Sequence, residues 1–142
     1  MQQIILALAL LITSMIFAQT TPTKLEEGIS VTVIVVNALN DEGTVNFAFY
    51  SEENFMKQPI YSKSASVEKG KSTVVFEDVP QGFFAILCFQ DENNNGRMDF
   101  DSNGMPTESY GNSNNVMNFG PPEFESSKFE VKDHAFKIEI KF

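Results

Sequence analysis

Short runs in which apolar and polar residues alternate with a period of two dominate this chain, and that pattern predicts β-strands rather than helices. Ile29 to Val36 is rich in β-branched residues, and Thr44 to Tyr50 sets Val45, Phe47 and Phe49 on one face. Asn40-Asp41-Glu42-Gly43 carries turn chemistry between them, so the two runs are expected to pair as a hairpin. Ser51 to Met56 predicts one helical turn capped by Ser51. Ile60 to Val67 reads as a more polar strand at an edge, and Glu68-Lys69-Gly70-Lys71 as a turn into a strand over Thr73 to Phe76. Val79-Pro80-Gln81-Gly82 precedes the most hydrophobic run, Phe83 to Phe89, expected to be a central strand buried on both faces. Near the end, Lys128 to Val131 is a short strand. Phe136, Ile138, Ile140 and Phe142 then alternate with Lys137, Glu139 and Lys141, which marks one core face and one wet face. About seven short strands with closely spaced turns and no long helix predict an all-β, Greek-key β-sandwich of the immunoglobulin-like or prealbumin-like kind. That domain is expected over residues 29–142.

The first residues follow a different pattern. Ile4 to Phe17 is an almost unbroken apolar run, short for a membrane span and followed by Ala18 and Gln19. Residues 1–19 are therefore expected to be a signal peptide, and 20–28 a flexible lead-in. Met1-Gln2-Gln3 carries no Lys or Arg, unlike most signal peptides, and an N-terminal membrane anchor is the alternative. With no cysteine directly after the run, nothing marks a lipid attachment site. The expected product is exported, periplasmic or extracellular, with no transmembrane span once the signal is removed.

Charge narrows the partners. Ten Lys and Arg against nineteen Asp and Glu give a net charge of −9, all of it beyond the signal segment. Such a domain repels phosphate backbones and anionic lipid, which argues against nucleic acid as a partner. Cys88 is the single cysteine, so no intramolecular disulfide forms, and its apolar flanks predict a buried, inert thiol.

The stretch Asp91 to Ser126 is too long for an ordinary connection, and such loops usually carry function. Its apolar residues Met105, Tyr110, Val116, Met117, Phe119 and Phe124 predict packing onto the sandwich. It begins Asp91-Glu92-Asn93-Asn94-Asn95-Gly96-Arg97-Met98-Asp99, a D-x-N-x-N-G-x-x-D pattern. Calcium takes about six to eight oxygen ligands, and a loop supplies them from alternate positions with a glycine at the bend. The expected ligands are the side chains of Asp91, Asn93 and Asn95, the Arg97 carbonyl, and Asp99 directly or through water. Where an EF-hand loop has a bidentate Glu at its twelfth position, Ser102 stands here. Asp101 or Glu108 is a candidate replacement, and Glu108 is favoured because the loop can fold back. Magnesium, which demands a stricter octahedron, fits less well, and zinc lacks its His or Cys ligands. The alternative is a metal-free Asx-rich turn whose side chains cap their own backbone.

No catalytic set accompanies the loop. His134, the only histidine, sits in the turn-like Lys132-Asp133-His134-Ala135 without a nucleophile partner. Carboxylates are plentiful enough for a glycosidase pair, but the sequence alone picks out no pair and ion ligation already accounts for the densest cluster. Tyr110, Phe119 and Phe124 would suit either a sugar platform or anchorage of the loop to the core.

Several of these runs together resemble a bacterial family of exported proteins, domain of unknown function 2141. The likeness is carried by Val79-Pro80-Gln81-Gly82-Phe83-Phe84-Ala85-Ile86, by Phe89-Gln90-Asp91 through Asp99, by Gly104-Met105-Pro106-Thr107-Glu108-Ser109-Tyr110-Gly111-Asn112-Ser113-Asn114-Asn115, and by Gly120-Pro121-Pro122-Glu123-Phe124-Glu125. It implies an exported β-sandwich and no particular reaction. The loop also looks like those of calcium-binding B-type repeats of bacterial surface adhesins, a likeness of motif that transfers no function. The expected function is a non-enzymatic, calcium-stabilised binding or structural module of the cell envelope, with a protein or glycan partner. Alternatives are a carbohydrate- or envelope-ligand-binding module using loop aromatics, and a carboxylate-dependent hydrolase.

Overall fold

The computed structural model describes residues 28–117 and 120–142. The expected signal peptide, nearly all of the lead-in and Phe119 lie outside the described residues. Eight strands and one four-residue helix follow in order: β1 (Ile29–Val35), β2 (Thr44–Tyr50), β3 (Tyr61–Ser66), β4 (Ser72–Val79), β5 (Gly82–Asp91), β6 (Tyr110–Asn112), α1 (Phe124–Ser127), β7 (Lys128–Val131) and β8 (Phe136–Ile140). They form a two-sheet β-sandwich. A three-stranded sheet has the order β4-β1-β8, and the second sheet has the order β3-β2-β5-β6, with β7 also on β5. β6 and β7 lie end to end along one edge of β5, because Leu87 pairs with Asn112 and Ala85 with Lys128, while β2 occupies the other edge.

Alternation along each strand decides which face is dry. Val31, Val33 and Val35 from β1, Val45, Phe47 and Phe49 from β2, and Phe84, Ile86 and Cys88 from β5 all point into one core. Phe49 lies at its centre, with ring centroids 5.1 Å from both Phe76 and Phe84 and 5.6 Å from Phe129. The expected alternation of β8 holds: Ile138 and Ile140 are buried, whereas Lys137 and Glu139 are exposed. β3 is the polar edge strand that its composition predicts.

Four expectations need correction. β1 and β2 do not form a hairpin: β1 pairs with β4 and β8, and β2 with β3 and β5. Each has a dry face, and the two bury those faces against each other from opposite sheets, so the Asn40–Gly43 turn crosses between sheets. Ser51 to Met56 folds as successive turns, with Asn54 N–H donating to Ser51 O at 3.3 Å, and not as a helix. β5 is central, but its first aromatic residue, Phe83, is largely exposed. The long connection is also only partly anchored by its apolar residues. Phe124 stacks on Phe55 at 5.6 Å, yet Met105, Val116 and Met117 are exposed.

Polar side chains do most of that anchoring. Asn112 Oδ1 accepts from Asn114 N at 3.1 Å, and its Nδ2 donates to Val116 O at 2.7 Å. Asn114 Nδ2 donates to Ser126 O and Lys128 O at 3.0 and 2.8 Å. Asn115 donates to Glu139 O and accepts from Lys141 N, at 2.9 and 2.7 Å, so one amide stands in for a strand partner on the edge of β8. Ser113, just beyond β6, donates its backbone N–H to Ile86 O at 3.0 Å, and its Oγ accepts from Ile86 N at 3.1 Å in place of a backbone carbonyl. An open sheet edge invites pairing with other chains, and the Asn115 amide covers part of this one.

Candidate metal loop

The loop starts where β5 ends, and the register of the sheet determines what surrounds it. Asp91 is the last residue of β5, opposite Thr44 of β2. On the other edge of β5, Phe89 pairs with Tyr110, and Gln90 N donates to Ser109 O at 2.8 Å. Continuing this register places Glu108 beside Asp91. The residue favoured to replace the missing twelfth-position ligand is thus brought back to the loop by the pairing of β6. Glu108 Oε1 accepts from Glu92 N at 3.1 Å, and Oε2 accepts from Asp99 N at 3.0 Å. One carboxylate therefore bridges both ends of the motif.

Within the loop, each Asx residue turns the backbone that follows it. Asp91 Oδ1 accepts from Asn95 N at 3.0 Å and Oδ2 from Gly96 N at 2.7 Å. Asn93 Oδ1 accepts from Asn95 N, and Asn95 Oδ1 from Arg97 N, both at 3.0 Å. These short-range bonds are Asx-turn chemistry. Gly96 has φ +79°, the left-handed bend that its place in the motif requires. Asp99 closes the ring, accepting from Asn93 Nδ2 at 2.6 Å and from Asn95 Nδ2 at 2.9 Å. Those bonds from Asn95 first, then Asn93, hold the Asp99 carboxyl below its ordinary pKa. Arg97 points its side chain outward, with Nε 4.0 Å from Asp99 Oδ1. Asp101 serves a different turn, accepting from Asn103 N and Met105 N at 2.8 and 2.9 Å.

The buried charge is what sets this loop apart. Asp91 is 2% and Glu108 8% exposed. Buried carboxylates are normally paired with cations or coordinate metals, and among the described residues neither forms an ion pair with a basic side chain. Their partners are backbone N–H groups and, for Asp91, Asn46 Nδ2 at 3.4 Å. Among the described residues, no three Asp, Glu, His or Cys side chains gather closely enough to hold a metal between them. A cation here would therefore take a mixed shell, completed by amide and carbonyl oxygens. The donor chemistry fits a hard, oxygen-seeking ion, because every nearby donor is oxygen and the Asn93 and Asn95 oxygens each keep a second lone pair.

Two positions outside the motif prove important. Gln90 is fully buried, and its Nε2 donates to Asn40 O, Asn40 Oδ1 and Glu42 O at 3.1, 2.8 and 2.9 Å, clamping the β1–β2 crossing onto β5. Gly43, at φ +66°, packs so closely that a Cβ there would lie 1.9 Å from Asp91 O. In the sequence Gln90 looks like the first polar residue after the apolar run Phe83 to Phe89, with nothing to mark it as buried. His134 is an exposed turn residue 2.8 Å from Asp133, and Cys88 is buried, its thiol pKa pushed far above the ordinary value by desolvation.

The fold and loop define a class of small chain: a two-sheet β-sandwich with one elaborate polar connection leaving its central strand. Residues 33–139 match the family described as "uncharacterized protein conserved in bacteria", domain of unknown function 2141, and the chain belongs to that family. No curated protein and no solved structure matches it. Among the described residues, no helix is long and apolar enough to cross a membrane.

Proposed function

We propose that this chain is an exported, non-enzymatic binding or structural module whose long loop is ordered by calcium. The observation that carries the reading is the pair of buried carboxylates, Asp91 and Glu108, which have no basic side-chain partner among the described residues. A divalent cation beside them would neutralise charge that backbone N–H groups only partly offset. Asp91, Asn93, Asn95, Asp99, Glu108 and the Arg97 carbonyl are the proposed ligands. The ion acts mechanically, tying the end of β5 to the start of β6 and so holding a connection of unusual length. The apolar run at residues 4–17 supports export, and a non-enzymatic role is proposed because ion ligation accounts for the densest carboxylate cluster.

The test is a melting curve on chelator-treated protein with and without calcium. At a concentration a hundredfold above the dissociation constant, a bound ion stabilises by about 2.7 kcal/mol. Calcium is expected to raise the melting temperature, and Asp91→Ala to remove most of the rise. Asp99→Asn, at a more exposed position, is the second variant in case Asp91→Ala folds poorly. A wild-type curve unmoved by calcium sinks the proposal.

A further inference from the structure

The outer face of the larger sheet carries a pattern that the loop does not explain. The register sets Ser64 of β3, Asn46 of β2, Phe89 of β5 and Tyr110 of β6 side by side in one row across the strands. The next row includes Ser62, Ala48 and Leu87. Three strand-to-strand steps span about 14 Å. Half of this strip is apolar, with Phe89 and Leu87 half-buried and Tyr110 48% exposed. The other half is neutral and polar. Ser64 donates to Asn46 Oδ1, which orients the Asn46 amide, and Asn46 Nδ2 reaches Asp91 Oδ2 at 3.4 Å, its second N–H taking no partner among the described residues. Farther along the face, Phe55 makes edge-on ring contacts with Tyr50 at 5.7 Å and with Phe124 at 5.6 Å.

We propose that this strip binds a neutral oligosaccharide laid across the strands, with Tyr110 and Phe89 stacking on a sugar ring and Asn46 and Ser64 bonding its hydroxyls. The inference rests on reading the domain as a binding module and names its ligand class and surface. A sugar ring has an apolar C–H face and a hydroxyl rim, and the strip offers a matching aromatic half and amide–hydroxyl half. The neutrality of the ligand follows from charge. No basic residue stands in these rows, carboxylates Asp91 and Glu108 border them, and the chain carries −9 overall. Anionic glycans and phosphates are repelled. A stable protein interface buries about 1,200 Å² or more around an apolar centre, and Phe89, Leu87, Tyr110 and Ala48 on this strip do not supply one.

The probes are cellohexaose, xylohexaose and chitohexaose, with polygalacturonate as the anionic control, titrated calorimetrically in calcium and again in chelator. At least one neutral hexasaccharide is expected to bind, and polygalacturonate is not. Tyr110→Ala is expected to weaken binding about tenfold or more. Ser64→Arg, which fills the polar half from an exposed edge strand, should weaken it similarly, while Thr73→Ala on the opposite sheet should not. Failure of all three hexasaccharides to bind overturns the proposal, and so does undiminished affinity in both folded variants. Self-association through this face in place of sugar binding, read by sedimentation, overturns it too. Sugar binding with no calcium effect on melting defeats the cation reading alone; a calcium shift without sugar binding defeats the strip alone.

Discussion

Glu108 offers the sharpest test of how the loop is held. Its two carboxylate oxygens accept from Glu92 N and Asp99 N at 3.1 and 3.0 Å, and it is buried. Glu108→Ala removes both acceptors and leaves two donors, each costing about 1–3 kcal/mol if water cannot replace the partner. The loop lies at the surface, where water can reach part of it, so the lower half of the summed range applies, about 2–4 kcal/mol. Glu108→Gln retains one acceptor and turns an amide N–H toward the other donor, for about 1–2 kcal/mol. Urea unfolding measures the totals, and amide hydrogen exchange at Glu92 and Asp99 locates them. Both amides should exchange faster in Glu108→Ala while those inside β2 keep their protection. A cost below about 0.5 kcal/mol, the level of an ordinary surface substitution, would refute the bridging role. Unchanged exchange at both amides would refute it as well.

Gly43→Ala should cost about 3 kcal/mol or more, because the new Cβ meets Asp91 O at 1.9 Å and φ is +66°; denaturant unfolding reads the loss. Asp41 accepts from Gly70 N and Lys69 N at 2.8 and 2.9 Å, and these bonds lower its pKa. Its folded value lies below the unfolded one, so its contribution is present above the unfolded value of about 3.9 and disappears as pH falls through the folded value. A carboxyl titration followed by NMR should place the Asp41 midpoint below that of a model peptide, and Asp41→Asn should flatten stability across that acid window. Cys88, buried with a raised thiol pKa, should resist a thiol reagent in the native protein and react on unfolding. Rapid native labelling would contradict that.

The strands were legible because their period is local. Val45, Phe47 and Phe49 announce their buried face without reference to any partner, as do Ile138 and Ile140. The turns of the loop were legible for the same reason, since alternate Asx residues and a glycine act over a few positions. Glu108 could be named from the departure at the twelfth position, but its arrival beside Asp91 depends on β6 pairing with β5. Partner choice between strands was not legible at all. The Asn40–Gly43 turn looks like a hairpin turn, yet it serves a crossing between sheets. Nor could the anchoring of Asp91 to Ser126 be read correctly from its apolar residues, for Met105 and Met117 face solvent. The amides of Asn112, Asn114 and Asn115 supply that anchoring, and a run of asparagines looks the same whether it is floppy or fully bonded.

The sequence by itself determined which segments become strands, which side of each is dry, and that a cluster of oxygen donors follows the central strand. Backbone sterics and side-chain alternation act residue by residue, so no distant contact is needed to read them. Only the tertiary structure decided which strands pair, that Gln90 clamps the crossing, and that Asp91 and Glu108 share one buried corner. These outcomes depend on burying two dry sheet faces at once, which sets residues far apart in the chain against each other.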